Sequence, residues 1–163
     1  MAAAARRLAI NPFGNQYPDN DTTKEIVLQA DGLVAENPDD RHVLLQWTNG
    51  VDLEGNSYTQ IIHLTGGPGN YQFHTPQVKI DSDRSTQGNT SYVLGQYTRA
   101  QRDQIIALAK AVKFNKKSRV NNCQTWMRDL LEAMVNNGLL SSEIFKKLDA
   151  GVPLKKRVPE LSQ

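Results

Sequence analysis

Cysteine is nearly absent from this 163-residue chain, which holds only Cys123. That excludes an internal disulfide framework and any metal site built from several thiolates. No apolar run approaches the roughly 20 residues that a membrane-spanning helix needs. The first ten residues offer Arg6 and Arg7 with only Leu8-Ala9-Ile10 behind them, short of the roughly 7–15-residue apolar region of a secretory signal. A cytoplasmic protein without a membrane span is therefore expected. Zinc spacing, a helix-turn-helix pattern and a basic stripe interleaved with aromatics are all missing, so nucleic acid is not an expected partner. With 39% hydrophobic and 22% charged residues and a mean hydropathy of -0.54, the chain has a globular composition. Its length fits one domain.

The small net charge of +2 hides an asymmetry. Residues 1–60 carry 4 basic and 9 acidic side chains, whereas residues 61–163 carry 15 and 8. An acidic face and a basic face follow, and a basic face alone is most often a device of solubility.

Residues 1–23 are rich in Asn, Pro, Gly and Asp, with neither helical nor strand period, and read as an irregular N-terminal arm. Residues 24–152 form the expected domain. Short strands are predicted over Glu25–Ala30, His42–Thr48, Tyr58–Leu64, Tyr71–Ile80 and Ser91–Gln96, with turn residues between them. The second and third read as an antiparallel pair joined by a long polar loop, each with a histidine at one end. Gly66-Gly67-Pro68-Gly69-Asn70 lacks the Lys-Ser/Thr ending and following helix of a phosphate loop, so it reads as a turn.

The remainder is helical. Thr98-Arg99-Ala100-Gln101 has the form of a capping box, and Ile105, Ile106, Ala109 and Val112 recur at helical spacing to about Lys113. A second helix starts after Asn121 or Asn122, places Cys123 in its first turn, and ends at Asn137-Gly138. A third runs from Ser141 or Ser142 to Gly151, and residues 153–163, with Lys155-Lys156-Arg157, read as a frayed basic tail. The expected fold class is α+β: one antiparallel sheet of about five strands packed against two or three C-terminal helices.

A helix N-terminus presents unpaired N–H groups and partial positive charge, which favour the thiolate of a first-turn cysteine. Cys123 becomes an activated nucleophile if a histidine reaches it as ion-pair partner and proton donor, with a third polar group to orient the ring. His42 and His63 are the candidates, and His74 is a possible substitute for either. Each of these residues also has a plain alternative: a cysteine near a helix start is commonly just a small buried side chain, and strand histidines are commonly half-buried and satisfied. Trp47 and Trp126 follow the base and nucleophile candidates closely; both fit core packing, with a wall of the substrate cleft as the functional alternative. Lys113, Lys116, Lys117 and Arg119 precede the cysteine and fit a solvated loop, or a grip on a substrate carboxylate.

In order and motif these residues resemble the circularly permuted papain-like superfamily: lecithin retinol acyltransferase-like and permuted NlpC/P60 enzymes, with the deSUMOylating isopeptidase (PPPDE) group as a cousin. His42-Val43-Leu44-Leu45-Gln46-Trp47 resembles that family's His-Trp-Ala-Leu-Tyr strand. Ile61-Ile62-His63-Leu64 resembles its Val-Val-His-Leu strand, and Asn122-Cys123-Gln124-Thr125-Trp126 its Asn-Cys-Glu-His-Phe helix start. Asn121-Asn122-Cys123 is also similar to the isopeptidase group's Asn-Asn-Cys-Asn-His-Phe. The likeness spans roughly residues 40–137.

The resemblance implies a permuted papain-like fold with Cys123 as nucleophile, His42 as base and ion-pair partner, and His63 as orienting group. It further implies Gln124, or the backbone N–H of Cys123, as oxyanion donor. The reaction implied is hydrolysis or acyl transfer on an amide, thioester or ester bond of a small-molecule or peptide substrate, through a covalent thioester and without cofactor or metal. Gln124-Thr125 stand where the acyltransferases have Glu-His, and no hydrophobic anchor accompanies the motifs, so a membrane lipid is not the expected substrate. Two readings of other classes stand beside this one: a non-covalent isomerase, cyclase or binding protein using the same histidines, and an interaction module acting through the basic face.

Overall fold

Strand β2 (Val43–Val51) shows how the sheet is specified. Val43, Leu45 and Trp47 are buried while Leu44, Gln46 and Thr48 are not, the two-residue period that turns alternate side chains to opposite faces. In β1 (Lys24–Ala30), Ile26, Leu28 and Ala30 are fully buried on the same period, and Gln29 between the last two is buried as well. In this computed structural model, residues 11, 13–31, 41–74, 77–81, 89–152 and 154–161 are described.

β1, β2, β3 (Ser57–Ile62), β6 (Gln77–Ile80) and β7 (Thr90–Tyr97) form one sheet in the order β6-β3-β2-β1-β7. Every neighbouring pair is antiparallel, with Leu28 opposite Leu45 and Leu45 opposite Ile62. β4 (Leu64–Gly67) and β5 (Asn70–Phe73) make a separate hairpin. Three helices follow: α1 (Arg99–Ala111), α2 (Cys123–Asn136) and α3 (Ser142–Gly151). The architecture is the expected α+β single domain, with the helices after the strands.

Local chemistry explains the helix starts. Thr98 and Gln101 form the capping box of α1, and Asn122 and Thr125 form that of α2, Asn122 Oδ1 accepting from the N–H groups of Gln124 and Thr125. On α2, Met127, Leu130, Leu131 and Met134 recur on one face and are fully buried against β2 and β4, each burial stabilising by roughly 1.5–3 kcal/mol. α1 stops at Ala111, two residues short of the expected end. Val112 takes an extended conformation, and both it and Phe114 pack against the core.

Three expectations are corrected. The span Tyr71–Ile80 is not one strand: β5 ends at Phe73 and β6 starts at Gln77 in the other sheet. Pro76 in the sequence has no N–H to give a continuous ladder. Between β2 and β3 the loop is short, because Val51 pairs with Ser57 and Asp52 Oδ1 accepts from the N–H groups of Glu54 and Asn56 to close a tight turn. Residues 1–10 and 12 of the expected arm lie outside the described residues, and its residues 13–23 are irregular, as expected, but tied down. Tyr17 stacks on Tyr58 at 3.7 Å, and Asp19 pairs through both oxygens with fully buried Arg102 at 2.9 Å. Finally, described residues 154–161 do not fray. Asn121 exchanges two hydrogen bonds with the backbone of Val158, Glu160 accepts from Ser118 and Asn121, and Arg157 pairs with Asp129 at 2.6 Å. The tail is strapped along the loop that leads into α2.

Candidate functional site

Cys123 sits at the N-terminus of α2, where the Asn122 cap sets its position, and α2 lies on β2. Its sulfur is 3.9 Å from the carbonyl oxygen of Arg41, and the backbone N–H of Val43 faces it from the other side of His42. Arg41 is buried and anchored: its Nε donates to the carbonyl of Asp31 at 2.8 Å and its guanidinium to Thr90 Oγ1 at 3.0 Å. The start of β2 is thereby fixed to β1 and β7, and the thiol is fixed to the backbone that carries His42.

His42 immediately precedes β2, and His63 occupies the single residue between β3 and β4. Because Leu45 pairs with Ile62, the two histidines fall beside each other across the strand pair. His42 Nε2 lies 2.8 Å from His63 Nδ1, the rings tilted by 66°. His63 Nε2 lies 2.9 Å from Oε1 of Gln77, the first residue of β6. The third histidine stands apart: His74 Nε2 is bonded to Gln72 Oε1 at 2.8 Å on the exposed side of the hairpin. Of His63 and His74, only His63 reaches His42.

Electrostatics at the site depart from the activated thiolate expected of a helix start. Burial pushes the Cys123 thiol up; the N–H groups of Val43, Gln124 and Cys123 itself pull it down without cancelling that effect, and the Asp31 carboxylate adds to the rise. Burial also pushes His42 down, helped by the charge of Lys79. His63 is lowered by burial to about 4 against the opposing hydrogen bond of Gln77, with His42, Lys79 and His74 contributing. The three shifts favour the proton on sulfur and neutral imidazoles. Among the described residues no hydrogen bond joins Cys123 to either histidine, so the resting site is a neutral thiol beside a neutral histidine pair rather than an ion pair.

Gln124 does not present its side chain to a reacting group. It is fully buried, with Nε2 donating to the Arg41 carbonyl at 3.1 Å and Oε1 accepting from the Lys155 N–H at 3.3 Å. It ties α2 to β2 and the tail. Trp126 is 1% exposed and packs 5.3 Å from the Phe73 ring, inside the core. Trp47 is also a core residue; it borders a cavity of about 310 Å³ with Lys24, Gln46 and Thr59, four residues and about 13 Å along β2 from the Val43 end of the site. Both tryptophans serve as core packing. The basic loop before α2 has a structural duty, since the carbonyls of Lys116 and Ser118 accept from Tyr71 and Gly69 and hold the β4–β5 hairpin.

Gln77 was not marked by any sequence motif. Only the pairing of β6 with β3, which places Gln77 opposite Ile61, brings it to His63. Among the described residues no group of three or more His, Cys, Asp and Glu side chains is placed to hold a metal ion, and no helix is long and apolar enough to cross a membrane.

Residues 33–141 match the model of a family of unknown function (DUF6540), and the chain belongs to that family. No curated protein and no solved structure matches it.

Proposed function

We propose that the protein is a thiol-dependent hydrolase or acyltransferase, of permuted papain-like type, in which Cys123 forms an acyl-enzyme with His42 as base and His63 as the group that orients it. The observation that carries this reading is the joint placement of a first-turn cysteine against the backbone flanking His42 and of a direct His42–His63 hydrogen bond. Neutral resting groups dictate the order of events. As the sulfur attacks the substrate carbonyl carbon, the thiol proton passes to His42, and the carbonyl electron pair moves onto oxygen beside the backbone N–H of Cys123. The intermediate collapses with cleavage of the bond to the leaving group, which takes the proton from His42 and leaves a thioester. Water or an acceptor nucleophile then gives a proton to His42 and attacks the thioester, and the thiol is restored.

On this reading the substrate is a small-molecule or peptide amide, thioester or ester in the cytoplasm, and no cofactor takes part. A panel of activated esters, thioesters and peptide amides tests it. Turnover that disappears in Cys123→Ala supports the thiol mechanism. Turnover that survives in Cys123→Ala removes it and transfers the chemistry to the histidines.

A second reading is favoured by one observation: the imidazoles bond to each other and not to sulfur. A histidine pair with one free nitrogen is equipped for non-covalent proton transfer, as an isomerase or cyclase uses it, and that activity would be indifferent to Cys123→Ala.

A further inference from the structure

Gln77 carries neither charge nor nucleophile, yet its Oε1 bonds the histidine pair that starts at His42. A carbonyl oxygen can only accept, so the Gln77 Oε1 contact at 2.9 Å requires the hydrogen of His63 to be on Nε2. A neutral imidazole has one N–H, which leaves His63 Nδ1 as a lone pair. That lone pair lies 2.8 Å from His42 Nε2 and accepts its hydrogen. His42 is then left with a bare Nδ1, and among the described residues no hydrogen bond occupies that atom.

We infer that Gln77 is a positioning residue which, acting through His63, selects the tautomer of His42 whose Nδ1 can take a proton. The inference deepens the proposed role of His42 as base and rests on it for its functional meaning. Without the Gln77 acceptor, nothing opposes the other tautomer of His63, whose Nδ1–H donates to His42 Nε2. The hydrogen of His42 would then sit on Nδ1, where a base needs its lone pair. The doubly protonated ring offers no escape, because burial and the neighbouring Lys79, His74 and His42 all disfavour a cation at His63.

The test reads the tautomers themselves in the full-length protein. With three histidines in the chain, long-range proton–nitrogen correlation of imidazole resonances at neutral pH is assignable by single substitutions. The wild type and Cys123→Ala are expected to show His42 and His63 as Nε2–H tautomers. In Gln77→Leu both are expected to move to Nδ1–H or to a mixture, while His74, bonded to Gln72, stays unchanged. Gln77→Glu keeps an acceptor at the same place, so it is expected to retain both Nε2–H tautomers and to raise the pKa of His63. Activity, where a substrate is in hand, is expected to fall roughly 10–100-fold in kcat for Gln77→Leu and to be restored in part by Gln77→Glu. An Nδ1–H tautomer of His63 in the wild type, or unchanged tautomers in Gln77→Leu, overturns the inference. If Gln77→Leu does not fold, an unshifted His63 in Gln77→Glu overturns it equally. None of these readings needs turnover, so the tautomer pattern can hold while the thiol mechanism fails, and the reverse.

Discussion

The sulfur of Cys123 rests 3.9 Å from the carbonyl oxygen of Arg41 rather than in a hydrogen bond to the imidazole of the next residue, His42. A carbonyl oxygen is a poor neighbour for a thiolate and a fair one for S–H, and it agrees with the burial that raises the Cys123 pKa. The surroundings therefore favour the protonated thiol.

Alkylation gives the first expected outcome. The iodoacetamide reaction of the native protein should rise with pH and reach half its plateau above about 8.5, the value for an unperturbed thiol. His42→Ala should change that midpoint little, because no resting ion pair is lost. A fast plateau reached below pH 7, abolished in His42→Ala, would show a preformed thiolate–imidazolium pair instead.

Acid should destabilise the fold through His63. An unfolded histidine binds its proton near pH 6.5, whereas His63 in the folded chain is held down at about 4. Between those values the unfolded state binds more protons, so stability is full above pH 6.5 and falls as pH drops towards 4. At about 1.4 kcal/mol for each tenfold change in proton affinity, His63 accounts for a loss of about 3 kcal/mol. Urea unfolding at pH 7 and at pH 4.5 measures it, and His63→Gln should flatten the difference; an unchanged pH dependence in that variant would remove His63 as the source.

The arm should matter to stability out of proportion to its irregular sequence. Arg102 is fully buried, and Asp19 and the carbonyls of Asn20 and Tyr97 hold its guanidinium. Asp19→Ala leaves that cation buried without its counter-charge, which costs roughly 3–5 kcal/mol. Denaturant unfolding should show this loss, and a variant as stable as the wild type would mean the arm is not docked through this pair.

Two glycines separate conformational need from steric need. Gly66 has φ +95°, and a Cβ there would fall 2.1 Å from the carbonyl oxygen of Asn70. Gly55 has φ +86° with nothing within 4 Å. Gly66→Ala should cost roughly 1–3 kcal/mol and loosen the β4–β5 hairpin, whereas Gly55→Asn should be close to neutral because Asn tolerates left-handed backbone. Thermal unfolding of the pair tests the distinction, and equal Tm losses would contradict it.

Much of the fold was legible because its signals are local. The alternation in Val43–Thr48, the capping box at Thr98 and Gln101, and the Asn122 cap before Cys123 are each written within a few residues. The break between Phe73 and Gln77 was not, since both sides of it are strand-like and only their partners differ. The two adjacent antiparallel strands put His42 and His63 forward together, while the preference for His63 over His74 as the partner of His42 was implied by the family resemblance alone. Gln77, by contrast, enters through a third strand fourteen residues after His63, and the structural role of Gln124 depends on its burial between Arg41 and Lys155, which no local motif encodes. The state of the thiol was the least legible property: helix position argues for a thiolate, and burial, a property of the assembled fold, argues more strongly against it.

The most direct measurement of the central claim is the intact mass of native protein after brief mixing with an activated ester near pH 8. The account predicts one hydroxylamine-labile acyl group on Cys123, absent in Cys123→Ala and formed roughly 10²–10⁴-fold more slowly in His42→Ala. A wild-type protein that acquires no thioester, or a His42→Ala variant that acquires it at the wild-type rate, would contradict the account.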